Sequence, residues 1–352
     1  MKALRGWLLA LAAMISTPLQ AESRGEQIVT LKDFRFANGD KMDLRLHVTT
    51  LGTPHRGADG KIDNAVMILH GTGGSARQFF TDRFSGELFG RGQPLDTARW
   101  YLILPDSIGH GRSSKPSDGL RMRFPRYGYA DMVAAQHRLL TEALGVDRLE
   151  LVLGTSMGCM HAFVWGTSHP GFARRLAPFA CNAVEIGGRN RLWRQMAITA
   201  IKADPAWHGG LYKAQPAQGL RTARYLGTLA GSNTLALQQE YPTARKTDAY
   251  LAAIEAGLRH DDGDANDLIY QLDASSDYDP APQLAAISVP VLWINSADDF
   301  INPPELGLAQ QQVKQMPAAR LIVIPASPET KGHGTHTWAR FWKEELARFL
   351  GG

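Results

Sequence analysis

The sequence predicts an α/β protein, a mostly parallel sheet covered by helices on both faces with a helical insertion over one edge. Three observations carry this. Short continuous apolar runs recur, as strands buried on both faces require, and helix-spaced segments separate them. The strand-like runs stop between residues 183 and 282 and then resume. The stretch 149–165, LELVLGTSMGCMHAFVW, reads as strand, sharp turn and helix in immediate succession.

Taken in order, residues 1–21 open with Lys2 and Arg5, continue through an apolar stretch, and end in Pro18-Leu19-Gln20-Ala21 before polar residues. That order predicts a secretory signal peptide cleaved after Ala21, too short and wrongly flanked to span a bilayer. The expected address is periplasmic or secreted, with no stable membrane insertion after cleavage. Residues 27–34 and 42–50 predict an edge hairpin about the turn Asn38-Gly39-Asp40. Residues 65–69 (AVMIL) are a buried strand running into His70-Gly71-Thr72-Gly73-Gly74, a loop that lets backbone amides approach a ligand. Residues 100–104 form the next strand, followed by a long loop, and residues 130–144 a helix that ends near Gly145.

After the stretch 149–165, residues 176–181 are a strand. Residues 191–203, 219–229 and 247–258 have helical spacing and belong to the insertion. The expected organisation is a core over 22–182, a helical cap over 183–282 and the rest of the core over 283–352. The acidic group Asp261, Asp262, Asp264 and Asp267 lacks the glycine and terminal glutamate of a calcium loop and reads as a solvated turn. Strands are expected again at 289–294 and 321–325, with helices at 305–316 and 338–350.

Composition narrows the function. The 352 residues are 44% hydrophobic and 20% charged, ordinary for a chain with a sizeable core. The net charge of +4 comes without basic runs interleaved with aromatics, which points away from nucleic acid. Only Cys159 and Cys181 are present, too few for a metal site with histidines at no ligand-like spacing. Whether they pair is left open. No metal or other cofactor is implied, and a homodimer is allowed.

The chemistry follows from three loops, each after a predicted strand. Ser156 stands in Gly154-Thr155-Ser156-Met157-Gly158, where small residues two before and two after let a serine project above the sheet. A serine hydroxyl is a poor nucleophile until a histidine takes its proton, and that histidine needs a carboxylate to fix its tautomer. Asp298 and Asp299 compete for the acid. Asp299, with Pro303 four residues on, resembles the hydrolase pattern of a proline at that distance from the acid, and Asp298 does not. His333 and His336 compete for the base, and the position of His333 after Gly332 in a loop favours it. The amides of Thr72 and Met157 are the expected donors to a developing oxyanion. His70 and His137 read as structural.

With these residues in view, the chain resembles the α/β-hydrolase superfamily and, within it, the homoserine O-acetyltransferase family. The resemblance rests on FPRYGYADMVAAQHRLLTEALGV (124–146), GTSMGCMHAFVW (154–165), ADPAWHGGLY (203–212), GLRTAR (219–224) and DANDLIYQLDASSDYD (264–279). It implies the α/β-hydrolase fold, with Ser156 as nucleophile, Asp299 as acid, His333 as base, and Arg224 as binder of a substrate carboxylate. Two family features are missing. The aspartate expected directly after the histidine, which meets the substrate's amino group, is Gly334 here, and the family's Cys-x-Gly-Ser-Thr-Gly-Pro loop is replaced by residues 106–117. An exported enzyme would not normally meet acetyl-CoA. The reading is therefore a serine hydrolase of esters, lactones or similar small acyl compounds. Two alternatives stand behind it: O-acyl transfer of the homoserine O-acetyltransferase type, and a non-catalytic binding protein on this scaffold. Trp193, Trp207 and Tyr212 could line a pocket, though cap aromatics more often pack.

Overall fold

Each predicted apolar run becomes a strand in the computed structural model, which describes residues 24–258 and 263–351. The strands are β1 (Gly25–Arg35), β2 (Lys41–Leu51), β3 (Ala65–Leu69), β4 (Tyr101–Pro105), β5 (Leu151–Thr155), β6 (Leu176–Phe179), β7 (Val291–Ser296) and β8 (Ala319–Ile324). They form one sheet in the order β1-β2-β4-β3-β5-β6-β7-β8. The β1–β2 hairpin lies at one edge, pairs antiparallel to β4, and turns where Gly39 takes φ 91°. From β4 to β8 all pairings are parallel. The predicted leader, residues 1–21, lies outside the described residues.

The period of two along the central strands sorts their side chains into two cores. Ala65, Met67, Leu69 and Val152 face one side of the sheet with Phe163 and Trp165. Val66, Ile68, Leu151 and Leu153 face the other with Phe84, Phe179 and Trp342. All these strand residues are fully buried, which explains why they read as unbroken apolar runs.

The helices are α1 (Ser85–Leu88), α2 (Tyr129–Arg138), α3 (Met157–Ser168), α4 (Gly188–Ala203), α5 (Ala217–Gly231), α6 (Thr234–Glu240), α7 (Ala244–Leu258), α8 (Ala265–Asp273), α9 (Leu308–Gln312) and α10 (Lys343–Leu350). Helices α4, α5 and α8 share a small core of their own through Ala197, Ile198, Ile201, Ala223 and Leu268. Among the described residues no helix is long and apolar enough to cross a membrane.

Three expectations need correction. The helix expected over 305–316 shrinks to α9 between 3₁₀ turns, because Gly307 takes a left-handed conformation (φ 66°) that a right-handed helix cannot continue through. The closing helix begins only at Lys343. Before it, two 3₁₀ turns carry the chain, and Trp342 leaves helical geometry (φ −145°) with its ring packed against Phe84 and Phe179. The acidic group is not a solvated turn where it is described. Asp264 caps α8 by accepting from Asn266 N (2.9 Å) and Asp267 N (3.2 Å). Asp267 is buried and accepts from Ser117 N (2.8 Å) and Ser117 Oγ (2.7 Å). Asp261 and Asp262 lie outside the described residues.

Candidate active site

Strand β5 ends at Thr155 and α3 begins at Met157, so the whole reversal falls on Ser156, held at φ 56° and ψ −110°. Such a conformation is strained and persists only where neighbours over-determine it. Here Ser156 N donates to Phe179 O (2.8 Å) and Gly158 N to His70 O (3.0 Å). A Cβ on Gly154 would lie 1.9 Å from the Gly158 carbonyl oxygen, and one on Gly158 2.1 Å from that of Leu69. The flanking glycines are thus demanded by the close approach of α3 to β5 and β3.

The loops after β7 and β8 bring the other two groups to this serine. His333 Nε2 lies 2.7 Å from Ser156 Oγ, and His333 Nδ1 lies 2.8 Å from Asp299 Oδ2. Asp299 is 2% exposed, so its charge depends on local donors. Its Oδ1 accepts from Ile301 N (2.7 Å) and Asn302 N (3.1 Å), and its Oδ2 also from Asn302 Nδ2 (3.1 Å). Burial by itself would raise this carboxyl, but His333 and the Asn302 donors outweigh it and hold it below the usual carboxylate range. An ionised Asp299 requires the proton on Nδ1 of a neutral His333, which turns the Nε2 lone pair toward Ser156.

The rival residues have other work. Asp298 accepts from Thr330 Oγ1 (2.7 Å), Gly332 N (3.0 Å), Asn233 Nδ2 and Ser296 Oγ, tying the His333 loop to the cap. His336 donates from Nδ1 to the carbonyl of His333. Burial, with His333 beside it, pushes His336 down to about 3, so it is neutral. His137 stacks on His169 with ring centroids 4.2 Å apart. Asn302 and Asn233 went unread in the sequence. Asn302 did carry a signal, since it lies between the acid and Pro303; Asn233 had none, because only the cap's docking brings it to Asp298.

The loop after β3 is braced from below. His70 Nε2 accepts from Ser107 N (3.0 Å) and Nδ1 faces the Gly71 carbonyl (2.9 Å), so this neutral imidazole is structural as expected. Gln78, also unread in the sequence, accepts from Gly71 N (3.3 Å) and donates to Thr155 Oγ1 (3.2 Å). Thr72 and Gly73 line a cavity of about 390 Å³ together with Ser156, His333 and Arg224. Met157 opens α3, and an amide in a helix's first turn has no acceptor within the helix.

Of the three cap aromatics, Trp193 lines this cavity. Trp207 instead donates to Asn266 Oδ1 (2.9 Å) and Tyr212 to Asp264 Oδ1 (2.7 Å), both as packing within the cap. Cys159, in the first turn of α3, and Cys181, just after β6, form a disulfide with Cα atoms 5.9 Å apart. The bridge ties the serine's helix to the next strand's end.

The comparisons with known proteins agree with this architecture. The sequence model of the alpha/beta hydrolase fold family matches residues 64–329. A homoserine O-acetyltransferase of Chlorobaculum parvum is 27% identical over 322 residues, covering 84% of this chain and 85% of the relative. An ethyl acetate hydrolase of Pseudomonas veronii is 32% identical over 186 residues, covering 50% of this chain and 51% of the relative. Among solved structures, an acetylester hydrolase from Corynebacterium glutamicum superposes with a TM-score of 0.81 at 22% identity, covering 93% of this chain and 96% of that one. The relatives thus divide between acyl transfer and ester hydrolysis, on one fold. The chain belongs to the α/β-hydrolase fold family.

Proposed function

We propose that the protein is an exported serine hydrolase that cleaves an ester, lactone or similar acyl substrate through an acyl-enzyme on Ser156. The observation that carries this is the unbroken relay from Ser156 Oγ to His333 Nε2 (2.7 Å) and from His333 Nδ1 to Asp299 Oδ2 (2.8 Å). His333 takes the proton as Ser156 Oγ bonds to the carbonyl carbon. The oxyanion rests on the amides of Met157 and Thr72, donors of a kind whose loss typically costs about 10²–10³ in rate. Collapse breaks the bond to the leaving oxygen, which receives the proton from His333. Water then repeats the sequence and releases the acid.

Hydrolysis is favoured over transfer to an amino-acid acceptor because Gly334 follows His333 and supplies no carboxylate for an ammonium. Transfer is the second reading, supported by Arg224 in the cavity and by the name of the Chlorobaculum parvum relative. Export is supported by the signal-like order of residues 1–21 and by the Cys159–Cys181 bridge, since such bridges persist mainly in oxidising compartments.

The test is hydrolysis of short p-nitrophenyl esters by the mature protein and by Ser156→Ala, with and without homoserine. Activity lost in the variant and indifferent to homoserine is expected. Faster p-nitrophenol release with accumulating O-acylhomoserine would replace hydrolysis by transfer. A Gly334→Asp variant sharpens the comparison, because a Cβ there meets nothing nearer than Lys331 Cβ at 3.7 Å. It should gain a response to homoserine that the natural chain lacks.

A further inference from the structure

Helix α4 carries an arginine where its pattern calls for an apolar residue. Arg194 is 2% exposed and lies one turn from Ala197 and Ile198, which belong to the cap's core. Its Nε donates to Asn190 Oδ1 (3.0 Å), while its Nη1 is buried with no hydrogen-bond partner. Among the described residues no carboxylate pairs with it. Asp273 on the adjoining helix is taken by Arg126 and Arg191, each at 3.5 Å. Burial weakens the hold of Arg194 on its charge, an effect that the Tyr129 hydroxyl offsets only in part and to which Arg191 adds by repulsion. A buried charge without a counter-charge carries a heavy desolvation penalty, so a function must be sought for it.

Its surroundings indicate one. Arg194 lines the same cavity as Ser156, His333 and Thr72, with the Trp193 ring 5.0 Å from its guanidinium carbon. The hydroxyls of Tyr129 and Thr72 are also buried, and both lie in the same polar neighbourhood as the guanidinium. Neither completes a hydrogen bond of proper geometry. A cation and two hydroxyls converge with no carboxylate among them to balance the charge. An anion with several lone pairs satisfies all of these requirements, and a carboxylate matches the planar fork of a guanidinium.

We propose that Arg194, backed by Thr72 and Tyr129, is the subsite for a carboxylate on the substrate, so that preferred substrates are esters that also carry a free carboxylate. This rests on the serine-hydrolase reading above. It is separate from Arg224, which stands on a different cap helix. The carboxylate can belong to the acyl or to the alcohol part, and the experiment separates the two.

Titrated acid release by the mature protein is followed with monomethyl succinate against dimethyl succinate, and with 3-acetoxypropanoate against its methyl ester. The anionic member of one pair should be preferred at least tenfold in kcat/KM, and that pair identifies the side. Arg194→Met should abolish the preference while leaving the neutral ester within about threefold. Equal loss on both members would make Arg194 merely structural and overturn the proposal. So would a wild-type enzyme that cleaves neutral esters through Ser156 with no preference for the anion. Binding of succinate and succinamide to Ser156→Ala, measured by calorimetry, tests the subsite without turnover. Tighter binding of succinate, lost in Ser156→Ala/Arg194→Met, supports the subsite even if hydrolysis itself fails. Equal binding of the two ligands overturns it, whatever the fate of the double variant.

Discussion

Replacing Asp299 by asparagine changes one atom and should nearly silence the enzyme. The four hydrogen bonds at this side chain decide how the amide settles. Its oxygen will keep the two amides of Ile301 and Asn302, which are fixed on the backbone and offer only donors. The amide nitrogen must then face His333 Nδ1, so Nδ1 becomes the acceptor and the imidazole proton moves to Nε2. With Nε2 protonated, His333 cannot take the proton of Ser156 at 2.7 Å. The equivalent change in a well-studied serine protease lowers kcat by about 10⁴, or about 5.5 kcal/mol of transition-state stabilisation. The same scale is expected here, with the fold intact because the shape is conserved and only the bond from Asn302 Nδ2, which would face the new amide nitrogen, is lost. The assay is the kcat of p-nitrophenyl acetate hydrolysis beside thermal unfolding of both proteins. A variant with unchanged stability and kcat within tenfold of the natural enzyme would refute the role given to the Asp299–His333 pair.

Other outcomes follow from the same geometry. Gly158→Ala should destabilise by roughly 1–3 kcal/mol or prevent folding, because its Cβ would meet the Leu69 carbonyl at 2.1 Å; an unchanged melting temperature would contradict this. Removing the Cys159–Cys181 bridge, with its separation of 22 residues, should cost about 3 kcal/mol, read as a lower urea midpoint with dithiothreitol or in the double serine variant. Asp267 is raised to about 6, chiefly by burial, so the folded state holds its proton where the unfolded chain releases it. Its contribution is fully present below about pH 4 and is lost as pH rises through 6, on the order of 2 kcal/mol. Asp267→Asn should flatten that slope in urea titrations at pH 4 to 7; a parallel slope in both proteins would remove Asp267 as its source.

What the sequence determined by itself was whatever is written locally. The runs at 65–69 and 151–153 announced strands because burial on both faces leaves no polar position in them. Ser156 was legible because only glycines let α3 approach β5 and β3 so closely. Asp299 and His333 were legible because each follows a strand, and strand ends converge at one edge of a parallel sheet. The choice against Asp298 and His336 was only a preference in sequence. It became a distance once the loops after β7 and β8 were set side by side. The lengths of α9 and α10 were misread because Gly307 and Trp342 answer to turn geometry and core packing, which override helical spacing. Gln78, Asn233, the disulfide and the buried guanidinium of Arg194 are matters of tertiary structure alone. Each depends on a partner far away in the chain, or on the want of one, and no spacing along a sequence records which side chains a fold brings together.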